Sequence, residues 1–264
     1  MPTYRLTLEY DGTAFSGWQA QPHRRTVAGA LGDALHQVSG ETPTITAAGR
    51  TDAGAHAHGQ VAGVTLERAW EPFRLLAALN GVLPEDVAVV DAALEADGFD
   101  ARRDAVDRTY TYVVVPRGVP APVSRRYSWT VRGPLDIEAM RDAGTALLGR
   151  RDFSAFGGAT RPQGSTVRTV HDVSIEEAAF PAERNGPRID ALLITVRADA
   201  FLRGMMRAFA GALVKVGQGR VHPRWVAETL ERTGGRSSQV TLAPARGLHQ
   251  WAVSYPSRTV ARAA

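Results

Sequence analysis

The stretch GRTDAGAHAHGQVA, Gly49 to Ala62, places one Arg, one Asp, two His and three Gly between segments, TPTIT and QVAGVTL, that read as strands. A hairpin needs only two turn residues, so a loop this long and polar is built to present a side chain. Asp52 is the candidate. An ionised carboxylate can serve as nucleophile or general base. An isolated Asp in a Gly-rich turn would bond its own backbone. Arg50, the loop length and His56 and His58 shift the reading toward chemistry.

His56 and His58 with Asp52 could form a metal pattern. No third or fourth ligand stands nearby in sequence, so no metal is expected and His56 is read as supporting the loop or touching substrate. Arg203, Arg207, Gly211 and Lys215 fall at i, i+4 spacing, opposite Leu202, Met205, Met206, Phe209, Leu213 and Val216. Such a stripe is commonly a solvated face. The alternative is that one Arg faces a cleft and holds Asp52 ionised. Tyr110 and Tyr112 share a face of RTYTYVVV, where strand tyrosines ordinarily pack; beside a carboxylate, one ring could instead stack on a displaced base.

These residues need elements to position them. YRLTLEY alternates as a half-buried strand, and Val27, Leu31, Leu35 and Val38 recur at helical spacing between a Thr26 cap and a Gly40 stop. EPFRLLAALNG reads as a short helix and DVAVVDAAL as a strand, giving the order βαββαβ. The second half repeats the plan. RTYTYVVV is a strand, DIEAMRDAGTALLG a helix, and VRTVHDVSIEE and IDALLITVR strands joined by a turn at FPAERNGP. AFLRGMMRAFAGALVKVG is a long helix ending at Gly217, PRWVAETLER a shorter one, and QWAVSY a closing strand. The expectation is an α/β (α+β) fold of two related βαββαβ-type halves, 1–105 and 106–264, each an antiparallel sheet with helices on one face, and a cleft between them.

The 264 residues, 44% hydrophobic and 22% charged, can bury a sizeable core. The opening MPTYRLTLEYDGT lacks a secretion-signal pattern, and no apolar run reaches bilayer length. The absence of cysteine excludes disulfides, a thiol nucleophile and cysteine-held zinc, and fits a reducing cytoplasm. Net charge is +4, and Lys215 is the sole Lys. Arg dominance reflects codon bias in part, and its guanidinium fork also suits phosphate.

The chain resembles the TruA-type tRNA pseudouridine synthases from Tyr4 to Tyr255. The motifs that carry the likeness are YDGTAFSGWQ, GRTDAGAHA, FDARRDAVDRTYTY, RRDFSAF, STVRTV, DAFLRGMMRAFAGALVKVGQG and APARGL. The resemblance implies a shared antiparallel sheet, a basic cleft, a cytoplasmic homodimer gripping tRNA, and conversion of uridine to pseudouridine at positions 38 to 40 of the anticodon stem-loop without cofactor. It puts Asp52 on the catalytic aspartate and Tyr110 on the tyrosine that packs on the target base. It puts Arg50 and Arg207 near that aspartate, Arg207 as its ion-pair partner. Arg24 and Arg25 fall in a loop that holds RNA. The chain departs from the family pattern at Arg203-Gly204 and at Asp100-Ala101-Arg102. Two alternatives from other classes are a non-catalytic RNA-binding protein, which would not need Asp52, Arg50 and Tyr110 together, and a metal-dependent hydrolase using His56, His58 and Asp52.

Overall fold

The computed structural model describes residues 1–161, 163–180, 189–232 and 235–256. Its first half runs β1 (Thr3–Tyr10), α1 (Val27–Ser39), β2 (Ile45–Ala47), β3 (His56–Thr65), α2 (Pro72–Asn80) and β4 (Val87–Glu95), the expected order. Its second half runs β5 (Asp107–Pro116), β6 (Trp129–Val131), α3 (Ile137–Thr145), β7 (Gly149–Asp152), β8 (Val167–Phe180), β9 (Ile189–Ala198), α4 (Met205–Gly217), α5 (Trp225–Leu230) and β10 (Leu248–Ser254). Strands β6 and β7 were not expected; they are too short for a period of two to stand out. The turn at FPAERNGP lies, beyond Phe180, outside the described residues.

Local chemistry accounts for the helices. Thr26 caps α1 by accepting from the Gly29 N–H, and Gly40 ends it in the left-handed region at φ 77°. Pro72 sits in the first turn of α2, where its missing N–H costs nothing. Helix α4 differs from its expected span. Gly204 at φ 74° precedes it, so Leu202 and Arg203 lie outside the helix. The expected polar stripe is broken as well, with Arg203 exposed and off the helix. A Cβ at Gly211 would lie 2.1 Å from the Thr241 carbonyl oxygen, and Lys215 Nζ lies 4.7 Å from the centre of the Trp225 ring.

The main path of the sheet is β4-β1-β3-β10-β5-β9-β8-β7, with β2 beside β3 and β6 beside β5. Tyr4, Leu6, Leu8 and Tyr10 turn one face of β1 onto Leu31, Leu35, Leu75 and Leu79 of α1 and α2. Tyr110, Tyr112 and Ile194 likewise meet Phe209 and Leu213 of α4. Each fully buried leucine contributes about 1.5–3 kcal/mol. The last strand, β10, joins the halves by inserting between β3 and β5. It is antiparallel to β5, pairing Leu248 with Tyr112 and Gln250 with Tyr110. Against β3 it is parallel, pairing His249 with His56 and Gln250 with Ala57. A strand placed between two mutually antiparallel strands must be parallel to one of them, so the expected antiparallel sheet is parallel at this seam, as it is between β5 and β6, and antiparallel elsewhere.

Candidate active site

The YDGTAFSGW segment backs the Asp52 loop by direct backbone contact. A Cβ at Gly12 would stand 1.8 Å from the Ala55 carbonyl oxygen, and one at Gly17, already at φ 91°, 2.7 Å from that of Thr51. Only glycine permits these approaches. The Trp18 N–H donates to the Thr51 carbonyl at 3.1 Å, and the Gly54 N–H to that of Phe15 at 3.3 Å. Tyr10 Oη lies 2.8 Å from Thr51 Oγ1, a buried hydrogen bond. The Ala55 N–H closes the turn onto the Asp52 carbonyl at 3.1 Å. His56 and His58, expected inside the loop, instead begin β3.

Helix α4 brings Arg207 to this loop from the other half. Arg207 Nη1 donates to Asp52 Oδ2 at 2.6 Å, and Nε donates to the Ala243 carbonyl at 2.7 Å. The Asp52 and Arg207 side chains are 32% and 21% exposed, open enough to meet a ligand and sheltered enough to limit screening of their attraction. The backbone that receives Arg207 is itself fixed: Tyr112 Oη donates to the Pro244 carbonyl at 2.6 Å, and a Cβ at Gly247 would be 2.7 Å from the Tyr112 ring. Tyr110 is buried, with its ring edge-on to Phe201 at 4.7 Å. Burial pushes its hydroxyl pKa up, against the pull of the nearby Arg108 guanidinium, so Tyr110 stays protonated.

This arrangement, a half-buried carboxylate clamped by one guanidinium beside a buried aromatic ring, sits on a sequence with close relatives. The family model for tRNA pseudouridine synthase matches residues 7–102 and 143–256. The chain belongs to this family. It is 41% identical over 263 residues to tRNA pseudouridine synthase A of Myxococcus xanthus, covering 98% of this chain and 96% of that one. With tRNA pseudouridine synthase A of Methylobacterium radiotolerans it shares 40% identity over 256 residues, covering 97% and 98%. Family membership makes the chain an isomerase that converts uridine to pseudouridine in tRNA. Arg50, Asp52 and Arg207 fall inside the matched ranges; Tyr110 falls between them.

The other expected site residues are less uniform. Arg50 and Arg24 are exposed and have no ion pair among the described residues. Arg25 is engaged, its guanidinium donating to both oxygens of Asp86 at 2.7 and 2.6 Å and lying 3.9 Å from the centre of the Phe15 ring. His56, expected to support the loop or touch substrate, is buried. Its Nδ1 accepts the Gly12 N–H at 3.2 Å and its Nε2 lies 2.8 Å from the Arg126 carbonyl oxygen. With both nitrogens spent, His56 supports the loop and has none left for a metal. His58 stacks on His249, and among the described residues no group of three His, Cys, Asp or Glu side chains is placed to hold a metal. Asp100, at one departure from the family pattern, accepts the Arg102 and Arg103 N–H groups at 2.9 Å each and so ties the turn before β5.

Three residues went unrecognised in the sequence. Arg108 is buried, and its guanidinium donates to the carbonyls of Ala48, Ala105, Asp199 and Arg102, binding the base of the Asp52 loop to the start of β5. Its place on the inward face of RTYTY, in step with Tyr110 and Tyr112, was the available signal. Gln60 and Gln250 are fully buried beneath the loop. Nothing in their local sequence separates them from surface strand residues.

Proposed function

We propose that this enzyme modifies uridine at positions 38 to 40 of the tRNA anticodon stem-loop, with Asp52 as the catalytic carboxylate, and that it works as a cytoplasmic homodimer. The observation that carries the catalytic assignment is the Asp52–Arg207 ion pair at the meeting of the two halves. The homodimer and the tRNA positions rest on the family resemblance, and the cytoplasmic location follows from the substrate. Among the described residues, no helix is long and apolar enough to cross a membrane.

The reaction breaks the C1′–N1 bond, turns the base and joins C5 to C1′. N1 gains a proton as C5 loses one, so atoms and electrons balance without an oxidant, a reductant or water. A carboxylate can form a covalent intermediate and leave again, and Arg207 keeps Asp52 charged for that role. A stacked base is out of reach, so the nucleotide must be flipped at a cost of about a few kcal/mol. Tyr110 offers the flipped base a ring, while Arg50 and Arg24 are free to meet phosphates. Arg25 and His56 act one step removed, by holding the loops in place. Among the described residues no ligand set of the kind the hydrolase alternative requires is formed, and a mere binding module has no use for a clamped carboxylate.

The test is tritium release from C5-tritiated tRNA by the wild type and Asp52→Asn in excess chelator, with the modified position mapped by sequencing. Release by wild type alone, with tRNA affinity retained in the variant, is the expected result. Release by Asp52→Asn at the wild-type rate would remove Asp52 from the mechanism, and modification outside positions 38 to 40 would change the substrate.

A further inference from the structure

Two fully buried glutamines, one from each half, support the Asp52 loop from below. Gln60 Nε2 donates to the Gly49 carbonyl at 2.9 Å. Gln60 Oε1 accepts the Val61 N–H at 3.1 Å and Nε2 of Gln250 at 3.1 Å. These bonds fix both amides: Gln60 must turn its oxygen to Val61 and its nitrogen to Gly49, so Gln250 must offer its nitrogen. The Gln60 amide also lies beside the Tyr10 hydroxyl, which bonds Thr51. One amide thus holds Gly49 directly and Thr51 through Tyr10, on either side of Arg50 and immediately before Asp52.

Gln250 carries the connection to the other half. It pairs in register with Tyr110, and a Cβ at Gly49 would lie 3.1 Å from Tyr110 Oη and 4.0 Å from Gln250 Nε2. The loop, the tyrosine and the amide pair therefore meet at one point. Gln250 Oε1 is buried without a hydrogen-bond partner among the described residues. An unpaired buried carbonyl is destabilising, and an apolar side chain of equal volume would satisfy a purely structural need better. Removing Gln250 would leave Gln60 Oε1 still bonded to Val61, so the amide at position 250 is not needed to keep Gln60 paired.

We propose that Gln60 and Gln250 are positioning residues that set the Asp52 loop against Tyr110 across the β3–β10 seam, and so act on the chemical step rather than on tRNA binding. The inference rests on the reading of Asp52 as the catalytic carboxylate.

The experiment measures single-turnover tritium release, tRNA Kd and Tm for the wild type, Asp52→Asn, Gln250→Met, Gln60→Met and the double variant. Gln250→Met should lose about 10- to 100-fold in rate, as expected for a small misplacement of a reacting group, with Kd unchanged and Tm unchanged or raised. Gln60→Met should lose more rate and some Tm, because it releases Gly49 and Val61. The double variant should be no slower than Gln60→Met, since the two act in series. If Gln60→Met does not fold, Gln250→Met alone decides. In Gln250→Met, a wild-type rate, or a rate loss matched by a fall in Tm or in tRNA affinity, overturns the proposal. With wild type active and Asp52→Asn inactive, such a result in Gln250→Met sinks this inference alone; an inactive wild type, or an active Asp52→Asn, removes the reading beneath it.

Discussion

Arg207 Nη1 lies 2.6 Å from Asp52 Oδ2 although 155 positions separate the two residues in the chain. The same guanidinium donates Nε to the Ala243 carbonyl, so its plane is fixed before substrate arrives. Arg207→Met should lower kcat by at least about 100-fold, the scale seen when one preorganised hydrogen-bond donor is removed from a reacting centre. Arg207→Lys keeps the charge but cannot make both bonds in one geometry, and should recover only part of the rate. Steady-state kinetics on both variants, beside tRNA Kd, check this; full activity in Arg207→Met would show that Asp52 needs no counter-ion.

Two glycine-to-alanine changes should move stability in opposite directions. Gly12→Ala drives a methyl group into the Ala55 carbonyl, and should destabilise by about 1–3 kcal/mol or more while displacing the Asp52 loop. Gly32 lies inside α1, where the nearest atom to an added Cβ is Ile45 Cδ1 at 3.8 Å. Gly32→Ala should stabilise by about 0.5–1 kcal/mol through helix propensity. Urea melts and activity assays on both would report the difference.

The two neighbouring arginines of the loop before α1 should separate by salt dependence. Arg24 is exposed and unpaired among the described residues, so Arg24→Ala should weaken tRNA binding and reduce the slope of log K against log salt by about 0.7–0.9 if it meets one phosphate. Arg25 is committed to Asp86 and Phe15, and Arg25→Ala should lower Tm more than it changes that slope. Equal slopes for Arg24→Ala and wild type would remove Arg24 from the RNA interface.

Acid should loosen the seam between the halves. Burial lowers the pKa of His249 to about 3, and His56, His58 and Asp11 modify it further; burial lowers that of His56 in the same direction. Between pH 6.5 and about 3 the unfolded chain therefore binds more protons than the folded one, so stability rises with pH and is lost as pH falls through this window. The slope contributed by His249 is at most about 1.4 kcal/mol per pH unit. Thermal melts from pH 7 to 4.5 should show falling Tm, and a less steep fall in His249→Asn. Parallel slopes for the two proteins would mean that the buried imidazole does not drive the loss.

Short-range physics made much of the architecture readable from sequence alone. Thr26 and Gly40 delimit α1, Tyr4 to Tyr10 alternate as β1, and Tyr110 and Tyr112 share one face of β5, because caps and periodicity act within a few residues of chain. Asp52 was legible for a similar reason: its loop is longer and more polar than a connection requires.

What only the tertiary structure decided depends on contacts between residues far apart in sequence. The insertion of β10 between β3 and β5 gives Gln250 its place under Asp52, but QWAVSY reads as any terminal strand. Helix α4 starts at Met205, behind a Gly204 cap and five residues later than the Ala200 start that the sequence suggests, leaving Arg203 off the helix while Arg207 turns to the carboxylate. His56 spends both ring nitrogens on Gly12 and Arg126, partners 44 and 70 residues away. A side chain's type sets which bonds it can make, and the packing of the two halves sets which ones it does make.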